Sequence, residues 1–281
     1  MIELLDVLAV AIAIVIGVTA FSFMSTIAYR YPKGMRLNEH FRCDHCETQL
    51  KFYEVIPVLS FPFLKGRCRY CGEKIRLRDW LNEIAGGMLA VLCLFRFGEE
   101  KIIGDSFHVS SILDVMVKMD IFGLIFLLIF FTFICIMDLV ILTDYDTMEI
   151  PNRYVIVLGF VSVASLFLPG MGIVEHLIGI IVISLPMFLI TLAIPGAFGG
   201  GDIKLSAAVG LMLGWKLTII GFLIGLLFGG IYGIYVLVSG KLKKNEHFSF
   251  GPFLCTGYLI SLFCGMDLIA AYLRLASFLH G

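Results

Sequence analysis

Acidic side chains lie beside long apolar segments at two places in the chain, where a pair of carboxyl groups could carry out acid–base chemistry. Asp144 and Asp146 follow one apolar run, and Asp202 follows the three glycines Gly199–Gly201. Acidic side chains at membrane depth are energetically costly and usually functional. Two carboxyl groups held together share a proton, so one can activate water while the other donates to the leaving group. We therefore predict an aspartyl protease with Asp144 and Asp202 as the catalytic pair.

The residues around this pair have supporting interpretations. Gly199 and Gly201 carry no side chains, so an extended substrate strand could approach their backbone closely. Asp146 is predicted to be a supporting carboxylate, with a capping role in the loop as an equal alternative. Asp138 lies earlier in the same apolar run and is interpreted as a polar contact inside a helix bundle. Three glycines before an aspartate are weak evidence alone, because glycines also serve helix packing.

Four cysteines form two pairs with the spacing of a metal site. Cys43 and Cys46 make the first pair, Cys68 and Cys71 make the second, and 21 residues separate the pairs. Two such turns can present four thiolates in a tetrahedron, which is typical of a closed structural zinc site. The alternatives are reduced cysteines without metal and a redox role for one pair, which a βαβ context would favour. We predict a structural zinc ion bound by all four.

The composition predicts that these residues belong to a membrane protein. Of the 281 residues, 59% are hydrophobic and 15% are charged, and the mean hydropathy of +0.98 lies well outside the soluble range. A membrane helix needs roughly 20 apolar residues, so we predict about eight transmembrane helices, the sixth having the weakest pattern. Six come from runs without charged residues and two from weaker segments: 7–29, 121–137, 154–174, 176–201, 217–240 and 247–266, then 81–97 and 205–215.

The basic residues predict the orientation of these helices. Residues 30–78 contain eleven of the 21 Lys and Arg, and by the positive-inside rule this segment is cytoplasmic, which places the N-terminus outside. Eight alternating passes then put sixteen basic residues inside and five outside. Asp144 and Asp202 consequently lie at the cytoplasmic edge of the membrane. The net charge of −1 gives no indication of a nucleic-acid partner.

These observations divide the chain into three predicted regions. Residues 1–29 form the first transmembrane helix, residues 30–80 form a cytoplasmic zinc-binding insert, and residues 81–281 form a transmembrane peptidase core. The predicted fold is an all-α polytopic membrane protein. Because the insert is too small to bury a sizeable core unaided, we expect zinc to stabilise it.

Several segments resemble the type IV prepilin peptidases, which are bacterial membrane enzymes that trim the leaders of pilins and pseudopilins. The resemblance runs through most of the chain, and the order and spacing of its segments are specific: Tyr29–Gly34, Cys43–Cys46, Ile56–Phe61, Lys65–Cys71, Asp144–Asn152, Gly199–Lys204 and Phe250–Leu254. It places the first catalytic aspartate on Asp144 and the second, within a GxGD segment, on Asp202. Gly199, Gly201 and Lys204 belong to that segment and are expected to support the site.

The resemblance implies cleavage of a short basic leader on the cytoplasmic side of the bacterial inner membrane. Prepilin or pseudopilin precursors would be the partners, and lipid would surround the chain. Many members also methylate the new N-terminus with S-adenosylmethionine, which is therefore the expected cofactor besides zinc. Two alternatives are a GxGD intramembrane protease with non-pilin substrates and a non-enzymatic zinc-binding transporter. The cysteine insert favours the prepilin branch over other proteases, whereas a transporter would place acids near mid-membrane in two related halves.

Overall fold

The computed structural model describes residues 2–37, 40–43, 45–97, 121–168, 172–239 and 249–280. Within these ranges every regular element is a helix, apart from two isolated β-bridges in the insert. The prediction of an all-α fold is confirmed. The described residues form two compact units, one containing residues up to Phe95 and the other those from Arg96 onwards.

The first unit contains an antiparallel helix pair. Its helices are α1 (Ile2–Arg30), the short α2 (Ser60–Phe63) and α3, which begins at Leu77 and ends at Phe97. The backbones of α1 and α3 approach closely at small residues, since a Cβ added at Gly17 would collide with the Gly86 carbonyl and one at Gly86 would collide with Phe21. Close approach at small residues is characteristic of helix pairs in membranes.

A carboxylate on α3 ties the insert to this helix pair. The two oxygens of Glu83 accept hydrogen bonds from the Ser22 hydroxyl (2.7 Å) and from the Val58 backbone N–H (2.6 Å). The Trp80 indole N–H donates to the Val58 carbonyl at 3.0 Å. Residues following the 3₁₀ turn Phe52–Glu54 are therefore anchored on both α1 and α3.

The second unit is a bundle of five helices among the described residues. They are α4 (Ile121–Thr147), α5 (Asn152–Ser165), α6 (Ile173–Ala193), α7 (Gly200–Val238) and α8 (Gly251–His280). Helix α7 packs against α5, α6 and α8, while α4 packs against α5 and α8. Thus α7 lies at the centre of the bundle, and its first turn carries Asp202.

Helix α7 is broken at Gly214, where φ is 72° and ψ is 168°. The Tyr258 hydroxyl donates to Ser206 Oγ at 2.9 Å, and a Cβ added at Gly221 would lie 2.6 Å from the same tyrosine ring. A straight helix would place Ser206 and Gly221 about 22 Å apart along its axis, too far for one side chain to reach both. The chain therefore folds back at Gly214, a backbone conformation that suits only glycine.

The membrane-spanning character of the chain follows from these helices. Among the described residues, five helices are long and apolar enough to cross a membrane, namely α1, α4, α6, α7 and α8. Helix α5 is apolar but has 14 residues, and α3 begins with polar turns. With α7 divided at Gly214, helices lie at all eight positions where crossings were predicted, and the chain is a multi-pass membrane protein.

Candidate active site and metal centre

Asp144 lies in the last turns of α4 and is held by the start of α8. Its carboxylate is buried and accepts hydrogen bonds from the Ser249 hydroxyl and the Gly251 backbone N–H. A Cβ added at Gly251 would collide with the same carboxylate oxygen. The residue that precedes Pro252 must therefore be small, because the backbone of α8 approaches the carboxylate directly.

Asp202 is the third residue of α7, which begins after the N-cap residue Gly199. Its buried carboxylate accepts a hydrogen bond from the Gly199 backbone N–H, in the manner of an acidic residue at the N3 position of a capping box. A Cβ at Gly199 would lie 3.1 Å from Asp202 Oδ2. The glycine before the helix thus leaves room for the carboxylate to fold back onto the helix start.

Ile150, in the turn between α4 and α5, packs between the segments that carry the two aspartates. A Cβ added at Gly201 would lie 2.9 Å from Ile150 Cβ, and one at Gly251 would lie 3.4 Å from Ile150 Cδ1. These close contacts bring the end of α4, the start of α7 and the start of α8 together. The segments that carry Asp144 and Asp202 therefore share Ile150 as a neighbour. The predicted pair is assembled at one end of the bundle.

The other predicted site residues lie around this pair. Asp146 is exposed, and it is displaced by roughly 200° around α4 from Asp144 because each helical residue turns by about 100°. The Lys204 ammonium donates to the Asn152 side chain at 3.0 Å and so links the first turns of α7 and α5 at the surface. Asp138 is 4% exposed and lies six residues before Asp144 on α4, about 9 Å deeper in the bundle.

Several residues at this end of the bundle were missed as site residues by sequence reasoning. Ser249, Gly251 and Ile150 contact the carboxylates or the segments that carry them. Gly251 could have been noticed because it precedes Pro252 at the start of α8. For Ser206 and Tyr258, which brace α7 against α8, the sequence carries no signal because a 52-residue separation shows no pattern.

The four predicted metal ligands come together in the insert. Their four Sγ atoms lie within 4.8 Å of one another, and the Sγ atoms of Cys43 and Cys71 are 3.8 Å apart. All four are free thiols. One cysteine pair comes from each of two chain reversals, the first knuckle (residues 41–50) and the second knuckle (residues 66–75). This arrangement could hold a metal ion.

The two knuckles share one hydrogen-bond pattern. The N–H of the first cysteine donates to the carbonyl five residues later, to Thr48 at 3.1 Å in one knuckle and to Glu73 at 2.7 Å in the other. Each knuckle is closed by a bridge, Arg42 with Gln49 and Arg67 with Lys74. Each also has positive φ four residues after its first cysteine, at Glu47 and Gly72. Two cysteines separated by two residues therefore adopt the same turn conformation in both knuckles.

The thiols affect one another's protonation. Hydrogen bonds from the Thr48 side chain and backbone lower the pKa of Cys46 to about 6. A backbone hydrogen bond from Glu73 favours the Cys71 thiolate, but desolvation and hydrogen bonds with the other three thiols together raise the pKa of Cys71 to about 12. Hydrogen bonding among the thiols therefore favours retention of a proton at Cys71. The cluster is thus suited to a metal that displaces the remaining protons.

Comparison with known families covers both units. Residues 15–97 match the profile of the bacterial peptidase A24 N-terminal domain, and residues 125–234 match that of the type IV leader peptidase family. Together the two matches cover more than half of the chain. The chain belongs to the type IV leader peptidase family.

Curated relatives resemble the chain over nearly its whole length. It is 29% identical to the prepilin leader peptidase/N-methyltransferase of Bacillus subtilis (strain 168), over 95% of this chain and 98% of that protein. It is 29% identical to the protein of the same name from Burkholderia pseudomallei (strain 1026b), over 91% and 85% of the two chains. For the Vibrio cholerae protein of this name the identity is 25%, over 86% and 91%. No solved structure matches the chain significantly.

Proposed function

We propose that the chain is a membrane aspartyl endopeptidase that removes the leader of type IV prepilin-like precursors and then methylates the new N-terminus. The observation that carries the peptidase assignment is the pair of buried carboxyl groups, Asp144 and Asp202, on helix ends that pack around Ile150 at one end of the bundle. The family match and the names of the relatives support the substrate class and the second activity.

The proposed peptidase step uses the two carboxyl groups in complementary states. A close carboxyl pair titrates as a unit and holds one proton between its members. The ionised member takes a proton from water as the water attacks the scissile carbonyl, and the protonated member donates to the substrate. Ser249 and the Gly251 N–H orient the Asp144 carboxylate, while the Gly199 N–H orients that of Asp202.

The location of the pair suits a substrate held at a membrane surface. Asp144 lies near the end of α4 and Asp202 in the first turn of α7, so both are at helix ends, not midway along the helices. The excess of basic residues in the segments that flank these ends supports a cytoplasmic position and an external N-terminus. A precursor would then present its basic leader from the cytoplasm, with its apolar segment in the membrane.

We further propose that the four cysteines bind a structural zinc ion. Tetrahedral zinc with Zn–S bonds of about 2.3 Å requires sulfur atoms about 3.8 Å apart, and Cys43 and Cys71 Sγ are separated by that distance. Four thiolates leave no open coordination position, so such an ion would hold the two knuckles together and supply no chemistry to hydrolysis. The cleavage step itself needs only the carboxyl pair.

A reconstituted reaction tests the proposal. Purified full-length protein in lipid nanodiscs is incubated with a prepilin precursor and S-adenosylmethionine, and the product N-terminus is read by mass spectrometry. We expect cleavage immediately before the apolar segment of the precursor, and a mass increment of one methyl group on the product. Uncleaved precursor with wild-type protein, under conditions in which a known prepilin peptidase cleaves it, would contradict the assignment.

A further inference from the structure

One stretch of the insert has the composition of a membrane segment. The apolar loop (residues 55–64) contains the short helix α2 and carries no charged residue, although Glu54 and Lys65 border it on either side. A run of this length is too short to cross a bilayer, but runs of about 10–14 apolar residues form buried core helices, re-entrant loops or interfacial segments. The exposure and the contacts of the loop distinguish a core element from a membrane element.

The loop is not covered by the rest of the insert. Leu59 is 52% exposed, and Phe63, the last residue of α2, is 81% exposed. None of the residues between positions 55 and 64 is buried. Leucine and phenylalanine are among the residues most often hidden in protein cores, and exposed apolar side chains that lie together mark a surface for a partner or a membrane. The loop is therefore not a core element of the insert.

Contacts with α3 place the loop beside the helix pair. The Trp80 indole donates to the Val58 carbonyl, and the Val58 N–H donates to Glu83. Trp80 and Glu83 lie three and six residues after Leu77, where α3 begins, which is about 5 and 9 Å along the helix axis. The Phe61 ring also stacks on Trp80, with the ring centres 4.9 Å apart. The loop consequently lies alongside the first two turns of α3 and not beyond its end.

The same level on α1 falls inside a membrane span. The Glu83 carboxylate that binds Val58 also accepts a hydrogen bond from the Ser22 hydroxyl at 2.7 Å. Ser22 belongs to the apolar span Val7–Arg30 and precedes Arg30 by about 12 Å of helix. Because roughly 20 residues cross the hydrocarbon, a crossing that begins at Val7 ends beyond Ser22. The loop is therefore held at the edge of the hydrocarbon.

We infer that the apolar loop rests in the membrane–water interface on the side where α1 ends, with the Leu59 and Phe63 side chains among the lipid acyl chains. The partner of this exposed surface is the bilayer itself. The insert is thereby anchored to the membrane at a third point, besides the two helices that connect to it.

The side chains around the loop match this environment. At the same level of the helix pair, Phe23 on α1 and Leu81 on α3 are each 51% exposed, so the apolar surface of the loop continues the apolar surface of the helices. Trp80 belongs to the residue types that are enriched at membrane interfaces. Lys65 and Arg67 follow the loop and are exposed, as suits basic side chains that extend from an apolar segment to the headgroups.

Photo-crosslinking in a bilayer tests the inference. The photoreactive amino acid p-benzoylphenylalanine replaces Phe63 in one full-length protein and Leu59 in a second, and both proteins are irradiated in nanodiscs of phosphatidylcholine. The matched control carries the same group in place of Phe41, an aromatic residue that is 45% exposed and whose ring lies 4.8 Å from the guanidinium of Arg30, at the end of α1. Adducts are identified and quantified by mass spectrometry of the digested protein.

Interfacial segments bury their apolar face about 5–10 Å into the boundary between headgroups and acyl chains, so we expect about fivefold or more lipid adduct at position 63 or 59 than at position 41. A yield of lipid adduct at both test positions no greater than at position 41 would overturn the inference. Adducts at both positions with other residues of the chain, in place of lipid, would overturn it too. Resistance to limited proteolysis equal to that of the wild type shows that each labelled insert is folded, and the second test position serves where the first variant fails this check.

Discussion

The cysteine cluster and the carboxyl pair are assembled in opposite ways. In the insert, the two cysteines of each knuckle are three positions apart in sequence. The hydrogen bonds that bring them together all lie within the ten residues of that knuckle. In the bundle, Asp144 and Asp202 are 58 residues apart in sequence and lie at the same end only because α4, α7 and α8 converge around Ile150. One site depends on turn geometry and the other on helix packing.

This difference determines what stabilises each region. The insert has little helix, and several of its large apolar side chains are exposed, among them Phe52 (85%) and Phe63 (81%). The proposed zinc ion would compensate for this small buried core. The helices of the bundle instead approach closely at glycines such as Gly179 and Gly210, each of which would collide with the other's backbone if it carried a Cβ. Substitutions should therefore separate the two regions.

The largest effect is expected at the carboxyl pair. Asp144→Asn or Asp202→Asn removes one member of the acid–base pair and should lower kcat for leader cleavage by about a thousandfold or more. The insert should keep its metal and protease resistance. Asp146→Asn is the control, since Asp146 is exposed on another side of α4. Cleavage retained in either single variant of the pair would refute the catalytic assignment.

Adjacent glycines provide a sharper test of the helix packing. Gly201→Ala introduces a Cβ 2.9 Å from Ile150 Cβ and should displace the start of α7, lowering kcat by about tenfold to a hundredfold. Gly200→Ala adds a methyl group that meets nothing within 4 Å and should leave kcat unchanged. Steady-state kinetics on the same precursor compare the two. Equal effects would mean that the contact with Ile150 does not position Asp202.

Loss of a metal ligand should affect the insert and spare hydrolysis. Cys68→Ser removes one of the four ligands, and since structural zinc contributes about 10 kcal/mol or more to folding of small metal domains, the insert should become sensitive to limited proteolysis. Metal content per chain should fall, while kcat for cleavage changes little. Cys264→Ser, at an exposed thiol outside the cluster, is the control. Wild-type protein without bound zinc would contradict the metal assignment.

The smallest effect is expected from the brace between α7 and α8. Tyr258→Phe removes the hydroxyl that donates to Ser206 Oγ, but Ser206 still donates to the Asp202 carbonyl at 2.8 Å. The free energy of unfolding should fall by about 1 kcal/mol, as measured by thermal unfolding in detergent, with cleavage largely retained. A loss of cleavage as complete as that of Asp202→Asn would place the hydroxyl in the chemistry.

Much of this architecture was predictable because membranes and metals impose strong local rules. The apolar runs indicated the eight longer helical segments, and the break at Gly214 accounts for the weak pattern of the sixth one, since the segment before it is short. The cysteine spacing indicated the cluster that the structure contains. Ser249 and Ile150 could not be assigned to the site, because a hydrogen bond over 105 residues has no sequence period.

What the sequence determined by itself was the all-helical membrane fold, the positions of the helices and the grouping of four thiols, each of which follows from hydropathy or spacing within a short window. Only the tertiary structure decided which ends of helices meet, that α8 contacts Asp144 through Gly251, and that α7 turns back at Gly214. Those outcomes depend on side-chain volume at contacts between distant residues. The periodicity of a sequence contains no information about how side chains from distant segments fit together. The close packing of those side chains is what determines how the helices of a bundle associate.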